Sequence, residues 1–190
     1  MVSPPTRGGG YWLRRLLDIE RPYRWNLRRL GLGFVLDVGC GGGRNLVNLG
    51  GSGAGVGIDS SPDSVATCRR RGLVAFSPED FRKSPFARPG RFDGLLLSHV
   101  VSHMHFAEAQ ALVAEYLPYV RVEGRVVLIA PEEAGFASDA SHVEFMDLDA
   151  LDRLARGADL VPERAYSFPL PRALGPLFKY NEFVLVASKR

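Results

Sequence analysis

The sequence predicts an α/β fold built on a mostly parallel sheet, and three observations support this. Short apolar runs alternate with helix-like segments through most of the chain. These runs are apolar throughout, as in parallel strands that are covered on both faces. The last two strand-like segments, Leu160–Phe168 and Tyr180–Ser188, are joined by a Pro- and Gly-rich stretch without a clear helix. Such a connection predicts an antiparallel pair at the edge of the sheet.

The predicted elements follow one another in a regular order. Apolar residues at helical spacing predict one or two helices over Tyr11–Leu30, interrupted near Pro22. Ser61 and Pro62 predict a helix start, because Ser is a good cap and Pro fits the first helical position. The predicted strands are Gly33–Val38, Gly55–Ile58, Leu73–Phe76, Phe92–Ser98 and Gly124–Pro131, and the helices among and after them are Arg44–Leu49, Pro62–Arg71, Ala107–Tyr119 and Asp147–Arg156.

Length and composition limit the class of protein. A chain of 190 residues, 46% hydrophobic and with a net charge of +3, predicts one domain with a substantial core. Two cysteines make neither a disulfide framework nor a zinc site, no apolar run is long enough to cross a bilayer, and the first ten residues lack a secretory core. We therefore expect a soluble cytoplasmic protein without a metal site. We divide it into a helical lid or arm, residues 1–30, and a catalytic domain, residues 31–190.

The strongest local signal is a glycine-rich turn, Val35-Leu-Asp-Val-Gly-Cys-Gly-Gly-Gly-Arg-Asn45, between a strand and a helix. Glycines allow a tight turn and let a ligand approach the backbone, and the helix start adds donors. Asp59 ends the next strand, where a carboxylate can accept hydrogen bonds from ribose hydroxyls. The spacing is tighter than that of a dinucleotide loop, and no Gly-Lys-Ser/Thr follows, which excludes a P-loop.

VLDVGCGGGRN followed by GVGIDSSPDSV resembles the class I S-adenosylmethionine-dependent methyltransferases, and the resemblance extends from about Arg21 to Lys189. It implies a Rossmann-like, three-layer αβα fold with a seven-stranded sheet, strand order 3-2-1-4-5-7-6, and strand 7 antiparallel. It also implies S-adenosyl-L-methionine as cofactor. The cofactor-binding residues that it implies are Asp37, Gly39, Cys40, Gly41, Gly43, Asp59, Ser60, Asp80, Phe81 and Ser98.

The resemblance assigns a role to several of these residues. Asp37 would orient the glycine loop or reach the methionine amine, and Asp59 would hold the ribose diol. Asp80 would bind the adenine N6, and Phe81 would donate its backbone N–H. Ser98, with the histidine after it, would lie near the sulfonium.

The four histidines all follow the fourth and fifth predicted strands, at the ends where ligands of open α/β sheets bind. A hydroxyl acceptor benefits from a general base, and histidine suits this role near neutral pH. We rank His142 first, then His99 and His103, while His105 is predicted to begin a helix. For the acceptor itself, Arg172 is a candidate clamp for a carboxylate or phosphate, and Tyr11 is a candidate lid residue.

Several chemistries are disfavoured. Amino-methylating enzymes of this fold carry a Pro-Pro motif after strand four, where this chain has Ser98-His-Val-Val101. Neither Cys40 nor Cys68 is placed as a nucleophile, and Glu132 and Glu133 are the only acidic pair that could serve metal-assisted chemistry. The leading hypothesis is a methyltransferase acting on a small molecule, at oxygen, with a histidine assisting.

Two alternatives remain open. One is an RNA-modifying enzyme of the same fold, favoured by the Arg-rich residues 1–30 and a pI near 9.1. The other is a non-catalytic protein that keeps the cofactor site.

Overall fold

A computed structural model of the chain describes residues 20–175 and 178–190, and in these residues seven strands form one sheet. Its order is β3-β2-β1-β4-β5-β7-β6. Strands β1 to β5 pair in parallel, whereas β7 is antiparallel to both β5 and β6. The fold class and strand order implied by the resemblance are therefore confirmed. The strands are β1 (Val35–Val38), β2 (Gly55–Ile58), β3 (Ala75–Phe76), β4 (Phe92–Ser98), β5 (Val120–Pro131), β6 (Leu160–Phe168) and β7 (Glu182–Lys189).

The helices that connect these strands begin at residues suited to that position. Ser61 accepts a hydrogen bond from the Ser64 amide, and Asp147 accepts one from the Ala150 amide, so each caps a free helical N–H. The described α-helices are α1 (Arg21–Arg29), α2 (Arg44–Leu49), α3 (Pro62–Arg70), α4 (Pro78–Lys83), α5 (Phe106–Tyr116), α6 (Glu133–Phe136) and α7 (Leu148–Gly157).

The core lies on both faces of the sheet, which is why the central strands are buried along their whole length. Leu36 and Leu97 face a cluster that includes Val113 of α5 and Leu154 of α7. On the other face, Leu27 of α1, Leu46 of α2 and Val65 of α3 pack with the opposite side chains of the sheet. The central strands are therefore covered on both faces, as the apolar runs predicted, whereas the edge strand β6 is partly exposed.

The structure differs from the sequence predictions mainly at two elements. The predicted strand Leu73–Phe76 is only two residues long, and the helix α4 that follows it was not predicted. Ser77 caps that helix through the Asp80 amide, and Pro78 occupies its first turn. The predicted interruption near Pro22 falls at the start of α1, while residues 1–19 lie outside the part of the chain that the structure describes.

The topology brings several strand ends to one edge of the sheet. The carboxyl ends of β1, β2, β4 and β5 meet there because these strands are parallel. Strand β7 runs the other way, so its first residue, Glu182, lies opposite Pro131 at the same edge. No helix among the described residues is long and apolar enough to cross a membrane.

Candidate functional site

The glycine turn follows β1 and adopts a backbone that favours glycine. Gly41 and Gly43 have φ values of +52° and +80°, in the left-handed region that other residues rarely adopt. A Cβ at Gly41 would meet nothing within 4 Å, so its backbone is open to a ligand. A Cβ at Gly43 would collide with Leu73, so that glycine allows the turn to pack against the protein. Gly39 is the third predicted glycine, and both Gly39 and Gly41 line a cavity.

Asp59 ties this turn to the end of β2. Its Oδ2 accepts a hydrogen bond from the Gly41 amide at 2.7 Å, and its Oδ1 accepts one from the Ser61 amide at 2.9 Å. Each carboxylate oxygen can accept a second hydrogen bond. Ser60, the next predicted cofactor residue, is exposed and does not line the cavity.

Asp37 is fully buried, and neither of its carboxylate oxygens has a hydrogen-bond partner among the described residues. Burial raises the pKa of Asp37 to about 7, although Asn45 and the charge of Arg44 oppose the shift. A buried carboxyl is normally satisfied by a proton, by a water molecule or by a cationic partner. It lies two residues before the glycine turn and does not itself line the cavity.

Cys40 and Cys68 lie behind the turn, with their sulfur atoms 3.9 Å apart. Both side chains are buried, and Cys68 Sγ donates to the carbonyl oxygen of Gly41 at 3.1 Å. Burial raises the pKa of both thiols. Because a thiol and not a thiolate is favoured, neither residue has the character of a nucleophile, although Cys40 does contribute to the cavity wall.

A cavity of about 880 Å³ opens at the edge of the sheet where the strand ends meet. The glycine turn forms one side, and the segments after β4 and β5 form the other. All three candidate bases line it, together with Ser98, which is buried at the end of β4. The candidate bases His99, His103 and His142 are thus brought together with the glycine turn at a single cavity.

His99 is paired with a carboxylate. Its Nε2 lies 2.7 Å from Oε1 of Glu182, whose side chain is almost entirely buried. The backbone of His99 has a φ of +58°, which is rare for a residue with a side chain and turns the chain sharply out of β4. A neutral ring that donates from Nε2 to Glu182 keeps its lone pair on Nδ1.

His103 and His142 are in contact, with ring centroids 4.6 Å apart. His142 Nδ1 lies 2.8 Å from the carbonyl oxygen of Phe136, and His103 Nδ1 lies 3.1 Å from that of Ser141. Asp139 lies beside both rings, and the hydroxyl and amide of Ser141 hold the pKa of its carboxyl below the usual value. His105 lies outside the cavity and begins α5, where it forms a capping box with Glu108.

The two residues predicted to bind adenine belong to α4. Phe81 lies in the core against Phe92, Tyr116 and Tyr119, and its amide already donates to the Ser77 carbonyl within α4. An N–H used in this way is not available to adenine, so the role assigned to the Phe81 amide needs correction. Asp80, in the first turn of α4, is exposed and does not line the cavity.

Arg172, one of the two acceptor-binding candidates, does not line the cavity. Arg172 forms a bidentate ion pair with Glu133 and contacts the buried Glu132 at 3.3 Å. Its guanidinium also lies over the ring of Phe183. The Arg172 guanidinium, which the sequence suggested for binding an acidic acceptor, is therefore already paired with two glutamates of the same chain. Tyr11 lies outside the described residues.

Sequence reasoning missed several residues of the cavity wall, above all Glu182 and Asp139, whereas it named Tyr23 as a residue that could cover the pocket. Tyr23 of α1 donates to the Tyr180 carbonyl at 2.8 Å, and burial raises the pKa of its hydroxyl. The available signal for Glu182 was a lone acidic residue at the start of an apolar strand. For Asp139 it was an acidic residue three positions before His142.

Residues 35–124 match the family described as "Methyltransferase domain", and this span contains the glycine turn, Asp59, Ser98 and His99. The match covers 90 of the 190 residues, and the described strands have the order of the class I methyltransferase fold. S-adenosylmethionine is the methyl donor of this family. No curated protein sequence is significantly similar to the chain.

Solved methyltransferase structures share this fold at low sequence identity. An S-adenosylmethionine-dependent methyltransferase from Archaeoglobus fulgidus is 16% identical, with a TM-score of 0.68 over 92% of this chain and 99% of that one. Geranyl diphosphate C-methyltransferase from Streptomyces coelicolor A3(2), solved with Mg²⁺, geranyl diphosphate and S-adenosyl-L-homocysteine, gives 15% identity, a TM-score of 0.69, and 98% and 84% coverage. A 1,6-didemethyltoxoflavin-N1-methyltransferase from Burkholderia thailandensis is 21% identical, with a TM-score of 0.61 over 99% of this chain and 93% of that one.

Proposed function

We propose that this methyltransferase transfers the methyl group of S-adenosylmethionine to a hydroxyl oxygen of a small-molecule acceptor. The observation that carries the proposal is one cavity that joins the glycine turn to the three histidines. The cavity also contains the two features that methyl transfer to oxygen requires, a place for the donor and a base beside it.

The residues around the glycine turn fit S-adenosylmethionine. The orphaned carboxyl of Asp37 is suited to the methionine ammonium, either directly or through water. The open face of Gly41 allows the ligand to approach the backbone, and Asp59 keeps acceptor capacity for ribose hydroxyls. When bound, the cofactor supplies an electrophilic methyl group on a good leaving group. Ser98 and His99 mark the side of the cavity where the acceptor would lie.

His99 is the base that the geometry supports best, although His142 ranked first from the sequence. Glu182 fixes the orientation of the His99 ring and stabilises the imidazolium that forms when the ring takes the hydroxyl proton. Removal of the proton by His99 would leave the acceptor oxygen able to take the methyl group that the bound cofactor supplies. His142 and His103 have no carboxylate partner at hydrogen-bond distance among the described contacts and take other roles in this proposal.

The size of the cavity supports a small acceptor. Its volume of about 880 Å³ lies within the range of about 300–1,000 Å³ that is usual for small-molecule sites. Part of that space belongs to the cofactor, which leaves room for a compact acceptor. Two of the three named structural neighbours act on geranyl diphosphate and on 1,6-didemethyltoxoflavin, both small molecules.

We propose that α1 covers part of this cavity, within the lid or arm that the sequence predicts for residues 1–30. Tyr23 and Glu20 contribute to the cavity wall, and the α1 side chains Leu27 and Asn26 are buried. The arginines of α1 also serve the fold, since Arg28 donates to the Asn48 carbonyl. This use of α1 supports a lid more than it supports an RNA-binding arm.

The proposal is tested by following labelled methyl transfer from S-adenosylmethionine into a low-molecular-weight metabolite extract. We expect one or more methyl ethers as products, and we expect His99→Gln to lower the rate about 10²–10⁴-fold. The matched control is His105→Gln, at an exposed histidine outside the cavity, which should retain wild-type rates. Labelling of RNA alone, or equal rates for the two variants, would contradict the proposal.

A further inference from the structure

The cavity wall opposite the glycine turn contains a side-chain cluster that methyl transfer does not use. It consists of His103, Asp139 and His142, all of which line the cavity. One ligand-type atom from each residue lies within 4.8 Å of those of the other two. Two imidazoles and one carboxylate are a donor set that proteins use for divalent transition metals.

Both histidines are held in the tautomer that binds metals. A backbone carbonyl can only accept a hydrogen bond, so His142 Nδ1 must carry the proton that it shares with the Phe136 oxygen. The same holds for His103 Nδ1 and the Ser141 oxygen. Each ring therefore keeps a lone pair on Nε2. Metal-binding histidines are usually fixed by such a hydrogen bond from the other nitrogen.

The third member is also oriented. Asp139 Oδ1 accepts hydrogen bonds from the amide and hydroxyl of Ser141, at 2.9 and 2.6 Å. These contacts orient the carboxylate, whose ligand-type oxygen lies within 4.8 Å of the ligand-type nitrogens of the two rings. Phe136 stacks on His142 at 9° between ring planes, which restricts rotation of that ring.

We propose that His103, Asp139 and His142 form a binding site for one divalent transition metal ion, with Zn²⁺ and Co²⁺ as suitable probes. Bonds of about 2.1 Å place neighbouring ligand atoms about 3 Å apart, so the three side chains need to close by only about 1–2 Å. Nitrogen donors favour these ions over Ca²⁺ and Mg²⁺, which prefer oxygen. Three protein ligands leave a coordination position open, on the cavity side.

The site would extend the proposed function without depending on it. A hydroxyl oxygen of the acceptor could fill the open position, where a metal ion lowers the pKa of a bound hydroxyl. That step rests on the proposed function, whereas metal binding itself does not. The sequence predicts no metal site, and no contiguous motif marks this one, because its ligands come from two separate segments, one after β4 and one after β5.

The test is titration of the metal-free full chain with Co²⁺ and Zn²⁺, followed by Co²⁺ absorption and calorimetry. We expect one ion per chain, bound by nitrogen and oxygen ligands. Loss of a residue that only hydrogen-bonds to a metal ligand typically lowers metal affinity about 10–100-fold. His142→Gln and Asp139→Asn remove ligands themselves, so each should lower the affinity by more than this. His105→Gln is the matched control and should bind like the wild type. Asp139 is exposed, so its variant provides a test even if His142→Gln fails to fold.

Three results would overturn the metal site. They are absence of stoichiometric binding, equal affinity in the cluster variants and the control, or a sulfur-to-cobalt absorption band, which would assign the ion to Cys40 and Cys68. Binding of S-adenosylhomocysteine is measured separately on the same proteins. It reports on the proposed function, so that failure of one proposal is distinguishable from failure of the other.

Discussion

Asp37 is a buried carboxyl beside the glycine turn of the candidate site. Its carboxyl is completely buried without a hydrogen bond from the described residues, and burial raises its pKa to about 7. Ionisation of such a carboxyl lowers the stability of the folded chain, and a bound cation beside it would restore that stability. Ionisation of Asp37 is therefore expected to lower the stability of the ligand-free chain.

Asp37→Asn should make the stability of the ligand-free chain less dependent on pH. The folded-state pKa lies above the unfolded value of 3.8, so the wild type loses stability as the pH rises from about 4 to about 7. Inside that window the loss approaches about 1.4 kcal/mol per pH unit. Denaturant unfolding at pH 5 and pH 8 measures it. An equal effect of the substitution at both pH values would show that Asp37 is not the cause.

Glu182→Gln should lower the rate of methyl transfer while leaving the affinity for S-adenosylhomocysteine within a few fold. The amide keeps the shape of the side chain, but it cannot stabilise the imidazolium of His99 at 2.7 Å. Steady-state kinetics on the identified acceptor check this, with Glu163→Gln on the exposed surface of β6 as the control. An unchanged kcat would remove Glu182 from the proposed mechanism.

Among the elements, the turn between β1 and α2 combines backbone requirements with close packing. Gly43 has a φ of +80° and precedes α2 directly, while Leu73 and Cys68 fill the space beside its Cα. The glycine is therefore required by the conformation and by the contact together. The turn is held from the other side by Asp59 through the Gly41 amide.

Gly43→Ala should destabilise the fold by roughly 1–3 kcal/mol, because it combines a left-handed backbone with a steric collision. Gly53→Ala is the matched control, since an added Cβ there meets no atom within 4 Å and no positive φ is required. Thermal or denaturant unfolding compares the two variants. Similar stability for both would show that the turn tolerates a side chain at Gly43.

Helix α4 bears on the placement of adenine. Phe81 lies at 0% exposure between α5 and the sheet, so Phe81→Leu should cost about 1 kcal/mol or more in stability. Because its amide stays within α4, the variant should bind S-adenosylhomocysteine as the wild type does. A large loss of affinity without a loss of stability would restore the adenine role that the resemblance assigned to Phe81.

At the scale of the whole molecule, the sequence predicted well what depends on contiguous residues. The strand order followed from the resemblance carried by the glycine turn and Asp59, and the apolar runs marked the buried strands correctly. The position of the histidines after β4 and β5 placed three of them at one cavity.

What could not be predicted depends on pairing across the sheet and on hydrogen bonds between distant segments. Glu182 reaches His99 only because β7 is antiparallel and in register with the end of β5. The contact between His103 and the Ser141 carbonyl joins two loops that no spacing in the sequence relates. Arg172 looked available in the sequence, but Glu132 and Glu133 already bind it.

The central claim is that the glycine turn and Asp59 bind the cofactor of a methyltransferase. Calorimetric titration of the full chain with S-adenosylhomocysteine tests it most directly. We predict one binding site per chain, a loss of affinity of at least tenfold in Asp59→Ala, and wild-type affinity in Asp149→Ala, a change at an exposed residue of α7. Absence of binding to the wild-type chain, or equal affinity in Asp59→Ala, would contradict the claim.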